Sequence, residues 1–134
     1  MDTDKLTGII VDAGFQIHKN LGPGLVEKVY HAVFVRDLAR TGLFVESNKP
    51  VSFDYEGMWF ENAFHVDVIV ERKIVIELKA LEQIKPVHYM QLRTYLRIME
   101  LETGFLMNFG EALFKNGVKR VNNIKTWARK RSLS

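Results

Sequence analysis

The stretch from Phe64 to Ala80 places two acids and a lysine where they can act together. Phe64–Val70 and Ile74–Lys79 read as two strands around the charged turn Glu71-Arg72-Lys73, an antiparallel hairpin. A three-residue loop pairs Val70 with Ile74, and counting outward sets Asp67 opposite Glu77 and His65 opposite Lys79. Side chains alternate along a strand, so Val66, Val68, Val70, Ile74, Ile76 and Leu78 share an apolar face, which is a core face. His65, Asp67, Glu77 and Lys79 share the other, with Ile69 and Val75 toward the turn. Carboxylates opposed in this way sit about 5 Å apart at Cβ and repel unless something neutralises them. A divalent cation is the natural candidate, because Mg²⁺ is held by one or two carboxylates together with waters and phosphate oxygens. Lys79, pointing the same way, would hold an attacking water or stabilise charge on a phosphate. The alternative is a half-exposed sheet face carrying ordinary surface charges.

The next segment adds a second set of polar groups. Pro86 suits the first turn of a helix that runs to about Glu100, with Tyr89, Leu92, Leu96 and Met99 as its apolar stripe. His88, Gln91 and Tyr95, spaced i, i+3 and i+7, lie on a different face. Gln and Tyr there can donate to phosphate oxygens or orient a water; the alternative is the hydrogen-bonded flank of a packed helix.

The remaining elements must position these groups. Asp4 to Asn20 reads as a helix with Leu6, Ile10, Ala13 and Ile17 as its stripe. Leu21-Gly22-Pro23-Gly24 ends it, and a second helix is expected over Leu25 to Arg40. Gly22-Pro23-Gly24 lacks the Lys-Ser/Thr of a phosphate loop and reads as a tight corner that aims Glu27. His18, one turn before the corner, either reaches the site or caps carbonyls. Strands are expected over Leu43–Tyr55, with Pro50 marking an edge or a bulge, and over Met58–Glu61, Gly104–Phe109 and Val118–Asn122. The tail is expected to be helical around Trp127. This order predicts an α+β or mixed α/β fold on one sheet.

Composition bounds the rest. A chain of 134 residues implies one domain, expected over residues 1–124, with a basic tail over 125–134. With no cysteine, disulfides, thiolate metal sites and a Cys nucleophile are excluded. No apolar run approaches the roughly 20 residues of a spanning helix, and Met1 to Leu6 has no signal-peptide core, so the expectation is a cytoplasmic protein without a membrane partner. From Lys115 onward there are seven Lys or Arg and no acid, while the rest of the chain holds twelve basic residues against sixteen acidic ones. That asymmetry points to a polyanion partner, the alternative being a solvated tail.

Asp67, then Glu77-Leu78-Lys79, then Gln91-x-x-x-Tyr95 resembles the PD-(D/E)XK nuclease superfamily, in particular its branch with a Gln-x-x-x-Tyr helix. Ile17 to Tyr30, with Gly24, Glu27 and Tyr30, resembles the GxxExxY family of that superfamily, as do Asn108-Phe109 and Gly117 to Val121. The resemblance spans about residues 5 to 122. It implies a restriction-endonuclease-like central mixed sheet flanked by helices and a Mg²⁺- or Mn²⁺-dependent nuclease, with DNA favoured over RNA. It also implies Asp67, Glu77 and Leu78 as metal positions, Lys79 as the catalytic lysine, Glu27 as an additional acid, and Gln91 and Tyr95 as the helix motif. The competing reading is a non-catalytic module that binds nucleic acid or protein on the same fold. A third, an oligomeric scaffold, rests on the edge-like strand near Pro50.

Overall fold

The computed structural model of the protein describes residues 1–123. The 125–134 tail and the helix expected around Trp127 lie outside the described residues.

Helix α1 (Thr3–Leu21) forms where the stripe was expected and buries Leu6, Ile10 and Ile17. Asp2 caps it by accepting the Lys5 N–H at 2.9 Å. Its C-terminal neighbour Gly22 has φ 74°, a left-handed value that suits glycine. Helix α2 (Glu27–Arg40) buries Tyr30, Phe34 and Leu38 at four-residue spacing. It begins at Glu27 and not at Leu25, because Val26 is the extended cap residue and the Leu25 N–H donates to the Tyr30 hydroxyl at 3.0 Å.

Strands β1 (Val45–Tyr55), β2 (Met58–Val70) and β3 (Ile74–Lys79) follow, then helix α3 (Pro86–Met99), strand β4 (Thr103–Asn108), a single turn of helix α4 (Phe114–Gly117) and strand β5 (Val118–Asn122). The sheet order is β1-β2-β3-β4-β5. All pairings are antiparallel except β3 with β4, which α3 connects as a crossover. This is the α+β arrangement of a five-stranded mixed sheet with flanking helices.

The sheet is covered on both faces. α1 and α2 pack with Val68, Val70, Ile74, Ile76 and Leu78 on one side. On the other, Leu92 and Leu96 of α3 pack with Ile69, Val75, Leu106 and Val121. Strand β3 is therefore buried from Ile74 to Leu78, with only Lys79 partly open. Among the described residues, no helix is long and apolar enough to cross a membrane.

Two expectations are corrected. Met58–Glu61 and Phe64–Val70 are one strand, because the β1–β2 pairing shifts register between Val51 and Phe53 and then resumes, with Phe53 and Phe60 stacked at 5.4 Å. A bulge bends a strand without ending it. Val66 also leaves the face it was expected to share with Val68 and Val70 and packs with Ile69 and Val75 on the α3 side. The cause is local. Asn48 has φ 49° and is not paired with Asp67 although its neighbours in β1 pair normally, and the β2–β3 ladder ends at Val68 and Ile76. Both flanks of Asp67 are irregular, so alternation does not carry across it. Pro50 lies on the edge strand β1, opposite His65.

Candidate active site

The expected hairpin register holds where pairing is regular: Val70 with Ile74, Ile69 with Val75, Val68 with Ile76. Beyond Val68 the carboxylates take over the role of the ladder. The Asp67 N–H donates to Glu77 Oε2 at 2.8 Å, and the Leu78 N–H donates to Asp67 Oδ2 at 2.8 Å. Each acid thus accepts from the opposite strand where a backbone carbonyl would otherwise stand. Buried N–H groups must find an acceptor, so these two bonds fix both acids facing each other. Glu77 is 6% exposed; Asp67 is half-buried.

Burial first, and then the charge of Asp67, push the Glu77 carboxyl up to about 8. A hydrogen bond between the two carboxyl groups acts in the same direction, while the Asp67 N–H and the Lys79 charge oppose it. Glu77 therefore favours its protonated form at neutral pH, as a buried acid facing another does.

Glu27 reaches the same place from α2. Although it is exposed, partial burial of its carboxyl raises its pKa, the charge of Asp67 adds to this, and Lys79 and His31 act against it. Its placement depends on the corner before it. The Tyr30 hydroxyl donates to the Gly22 carbonyl at 2.6 Å and accepts from Leu25 N–H, and its buried ring stacks on Phe109 at 4.7 Å. Gly24 has φ 113°, which a side chain would strain. Gly24, Glu27 and Tyr30 are thus a turn, the acid it presents and the clamp that closes it. The sequence marks Tyr30 only as part of a motif; the clamp is legible only once the corner is folded.

Lys79 ends β3, in register with Asn108 of β4, and its carbonyl accepts the Phe109 N–H at 2.8 Å. Its charge acts on Glu27, Glu77 and His88, and among the described residues it forms no ion pair. Tyr95 approaches from α3: its hydroxyl pKa is raised by burial and then by the charges of Glu77 and Asp67, and its ring stacks on Phe64 at 4.1 Å. Gln91 is exposed one turn earlier on α3, and nothing in the described residues draws it to the acids. The structure therefore brings together Glu27, Asp67, Glu77, Lys79 and Tyr95 and leaves Gln91 at the margin.

His18 belongs to a strut instead. It is 9% exposed, its Nε2 is 2.7 Å from the Glu111 carbonyl, which only an N–H can satisfy, and its ring lies against Phe114. A second strut, unexpected from the sequence, is the fully buried Asn108. Its side chain accepts the Leu81 N–H at 2.9 Å and donates to the Leu81 carbonyl at 2.9 Å, pinning the loop that leaves Lys79.

The donor set suits a hard divalent cation: oxygen ligands, an excess of acid over base, and a buried carboxyl neutralised by a proton for want of anything better. Asp67 and Glu77 are the two carboxylates, and Leu78 between Glu77 and Lys79 offers only its backbone carbonyl. Among the described residues no group of three His, Asp or Glu side chains stands ready to hold a metal, and each of the two acids has an oxygen on a backbone N–H.

Among solved structures, the crystal structure of SSO0001 resembles the chain at 17% identity and a TM-score of 0.46, covering 92% of this chain and 72% of that one. No curated protein matches the sequence. A family model, that of the PD-(D/E)XK nuclease superfamily, matches residues 4–121, so the acid pair across β2 and β3 and the lysine that follows sit in a chain that belongs to the PD-(D/E)XK nuclease superfamily.

Proposed function

We propose that the protein is a nuclease that hydrolyses phosphodiester bonds of nucleic acid, DNA in preference to RNA, using Mg²⁺ or Mn²⁺. The observation that carries this reading is the opposed pair Asp67 and Glu77, locked by reciprocal bonds to backbone N–H groups, with the Lys79 charge acting on Glu77. Asp67, Glu77 and the Leu78 carbonyl would hold the cation. When bound, it supplies Lewis-acid polarisation of the phosphate and a bound water of lowered pKa. Lys79 orients the attacking water or meets charge on the phosphate, and Glu27 supplies a further acid at the same opening. Tyr95, and Gln91 from one turn earlier, would donate to phosphate oxygens and position the strand. Gly24, Glu27 and Tyr30 support membership of the GxxExxY family within the superfamily. Exposed Lys115, Lys119 and Arg120 begin the basic stretch that would add phosphate contacts. A cytoplasmic location goes with this reading.

The second reading, a non-catalytic binding module, is favoured by the exposed, uncommitted Gln91 and the lack of a ready three-acid cage. One experiment separates the two. Labelled single- and double-stranded oligonucleotides are incubated with the purified chain and Mg²⁺, Mn²⁺ or EDTA, beside Lys79→Ala. Cleavage that needs metal and falls by about 10²-fold or more in Lys79→Ala, at unchanged melting temperature, is expected. Binding without cleavage under every condition selects the module, and undiminished cleavage by a pure Lys79→Ala preparation removes the lysine from the mechanism.

A further inference from the structure

Immediately beyond Lys79 and Ala80 the surface opens into a cleft of about 770 Å³, lined by Leu81, Glu82, Gln83, Lys85, His88 and Glu111. Its walls are fixed from three directions. Leu81 is held on both its N–H and its carbonyl by Asn108, whose Oδ1 also accepts the Gly110 N–H at 3.1 Å. The contact is so close that a Cβ on Gly110 would collide with the Leu81 backbone. Glu111 is held by its carbonyl on His18. His88 is held by the Lys85 N–H, which donates to Nδ1 at 2.9 Å. That bond makes Nδ1 the acceptor and leaves the ring proton on Nε2. Burial lowers the His88 pKa, and the charges of Lys79 and Lys85 lower it further.

The chemistry lining the cleft is not spent on the fold. Among the described residues, the side-chain polar groups of Glu82, Gln83 and Glu111 make no hydrogen bond or ion pair within the protein. The lining thus combines an apolar side chain, two carboxylate acceptors and an amide with two donors, Lys85 and His88 Nε2–H. A lone anion would meet two opposing carboxylates, whereas a nucleotide matches both parts.

We infer that this cleft is the subsite for one unpaired nucleotide adjacent to the cleaved phosphate, with the base against Leu81, Gln83 and the two carboxylates and its phosphate on Lys85 and His88. The inference rests on the nuclease reading and deepens it by naming the substrate class: single strands, frayed ends or flaps. Carboxylates and amides recognise the exocyclic amines of bases. In a duplex the base is stacked and its pairing edge is used, so bringing it into a cleft costs a few kcal/mol of unstacking and unpairing that an unpaired base does not incur. Adenine, cytosine and guanine offer an amino group to the carboxylates; thymine offers none.

The test uses the full isotope-labelled chain in EDTA, titrated separately with each of the four 5′-deoxynucleoside monophosphates and with inorganic phosphate, and followed by amide and imidazole resonances. The three amino-bearing nucleotides are expected to shift Leu81, Gln83, Lys85 and His88 and to bind about tenfold more tightly than deoxythymidylate, the worth of one hydrogen bond to a charged acceptor. Gln83→Ala and Glu111→Gln are each expected to weaken them by a similar factor without lowering the melting temperature. In cleavage assays, an unpaired strand is expected to be cut faster than a blunt duplex of the same sequence. Inorganic phosphate reproducing the nucleotide shifts, deoxythymidylate binding as tightly as the others, or a blunt duplex cut as fast as the single strand would each overturn the proposal. The titration needs neither metal nor turnover. A chain that binds mononucleotides here yet cuts nothing therefore removes the nuclease reading and keeps the nucleotide site.

Discussion

The β2–β3 hairpin has two halves built on opposite principles. From Val68 to Ile76 it is an ordinary ladder: backbone pairs with backbone, and Val68, Val70, Ile74 and Ile76 are buried against α1 and α2. One residue further on, at Asp67 and Glu77, side chains accept the backbone N–H groups, pairing to Asn48 lapses, and a buried acid is held neutral by its surroundings. The first half is a source of stability and has no uncommitted polar group. The second half carries charge repulsion and a broken ladder, and it is where chemistry is possible. The difference shows where this sheet places strain: at the end of a strand, beside regular packing that holds it in place.

The sharpest way to break that contrast is to damage each half in turn. Ile76→Ala opens a cavity in the regular half, where Ile76 is fully buried, and is expected to cost about 2–5 kcal/mol in urea unfolding. Asp67→Ala, in the irregular half, leaves the Leu78 N–H without its acceptor, an expected loss of about 1–3 kcal/mol. Asp67→Asn keeps an oxygen in place and is expected to cost less. Equal losses for the Ala and Asn variants would show that the bond to Leu78 does not carry the effect, and an Ile76→Ala loss no larger than either would erase the distinction between the halves.

The same contrast explains what could be read in advance. The helices, the turn Glu71-Arg72-Lys73 and the pairing of Val70 with Ile74 follow from local pattern, because period and turn chemistry act over a few residues. The opposition of Asp67 and Glu77 followed from counting that register outward. Counting failed for Val66, because the irregularity at Asn48 and Asp67 is set by a strand distant in sequence. The two strands read as separate at Met58 and Phe64 are joined for a similar reason, a bulge visible only in the partner β1. Tyr30 and Asn108 were named by a motif and not by a role, since each acts on backbone atoms that meet it only after folding. Gln91 shows the reverse: helical spacing correctly placed it one turn from Tyr95, and spacing alone could not say that the tyrosine would feel the charges of the acids while the glutamine stayed exposed.

The smallest expected effect is the most specific to the irregular half. In the metal-free fold Glu77 holds its proton up to about 8, whereas in the unfolded chain it releases it near 4.5. Below the lower value both states are protonated and the stability associated with this group is complete. As pH rises between the two values, only the unfolded chain loses the proton, so unfolding becomes easier, and above the higher value the loss is finished. The melting temperature of wild type in EDTA is therefore expected to fall between pH 5 and pH 8. Glu77→Gln cannot ionise, keeps an oxygen for the Asp67 N–H, and is expected to show a flatter profile and to exceed wild type at pH 8 by about 1 kcal/mol, roughly one unit of relieved shift. A divalent cation favours the ionised acid, so Mg²⁺ or Mn²⁺ is expected to raise the wild-type melting temperature more at pH 8 than at pH 6, and that of Glu77→Gln much less. Parallel pH profiles for the two proteins in EDTA would mean that Glu77 is ionised in the fold at neutral pH, and the raised pKa of Glu77 would then be wrong.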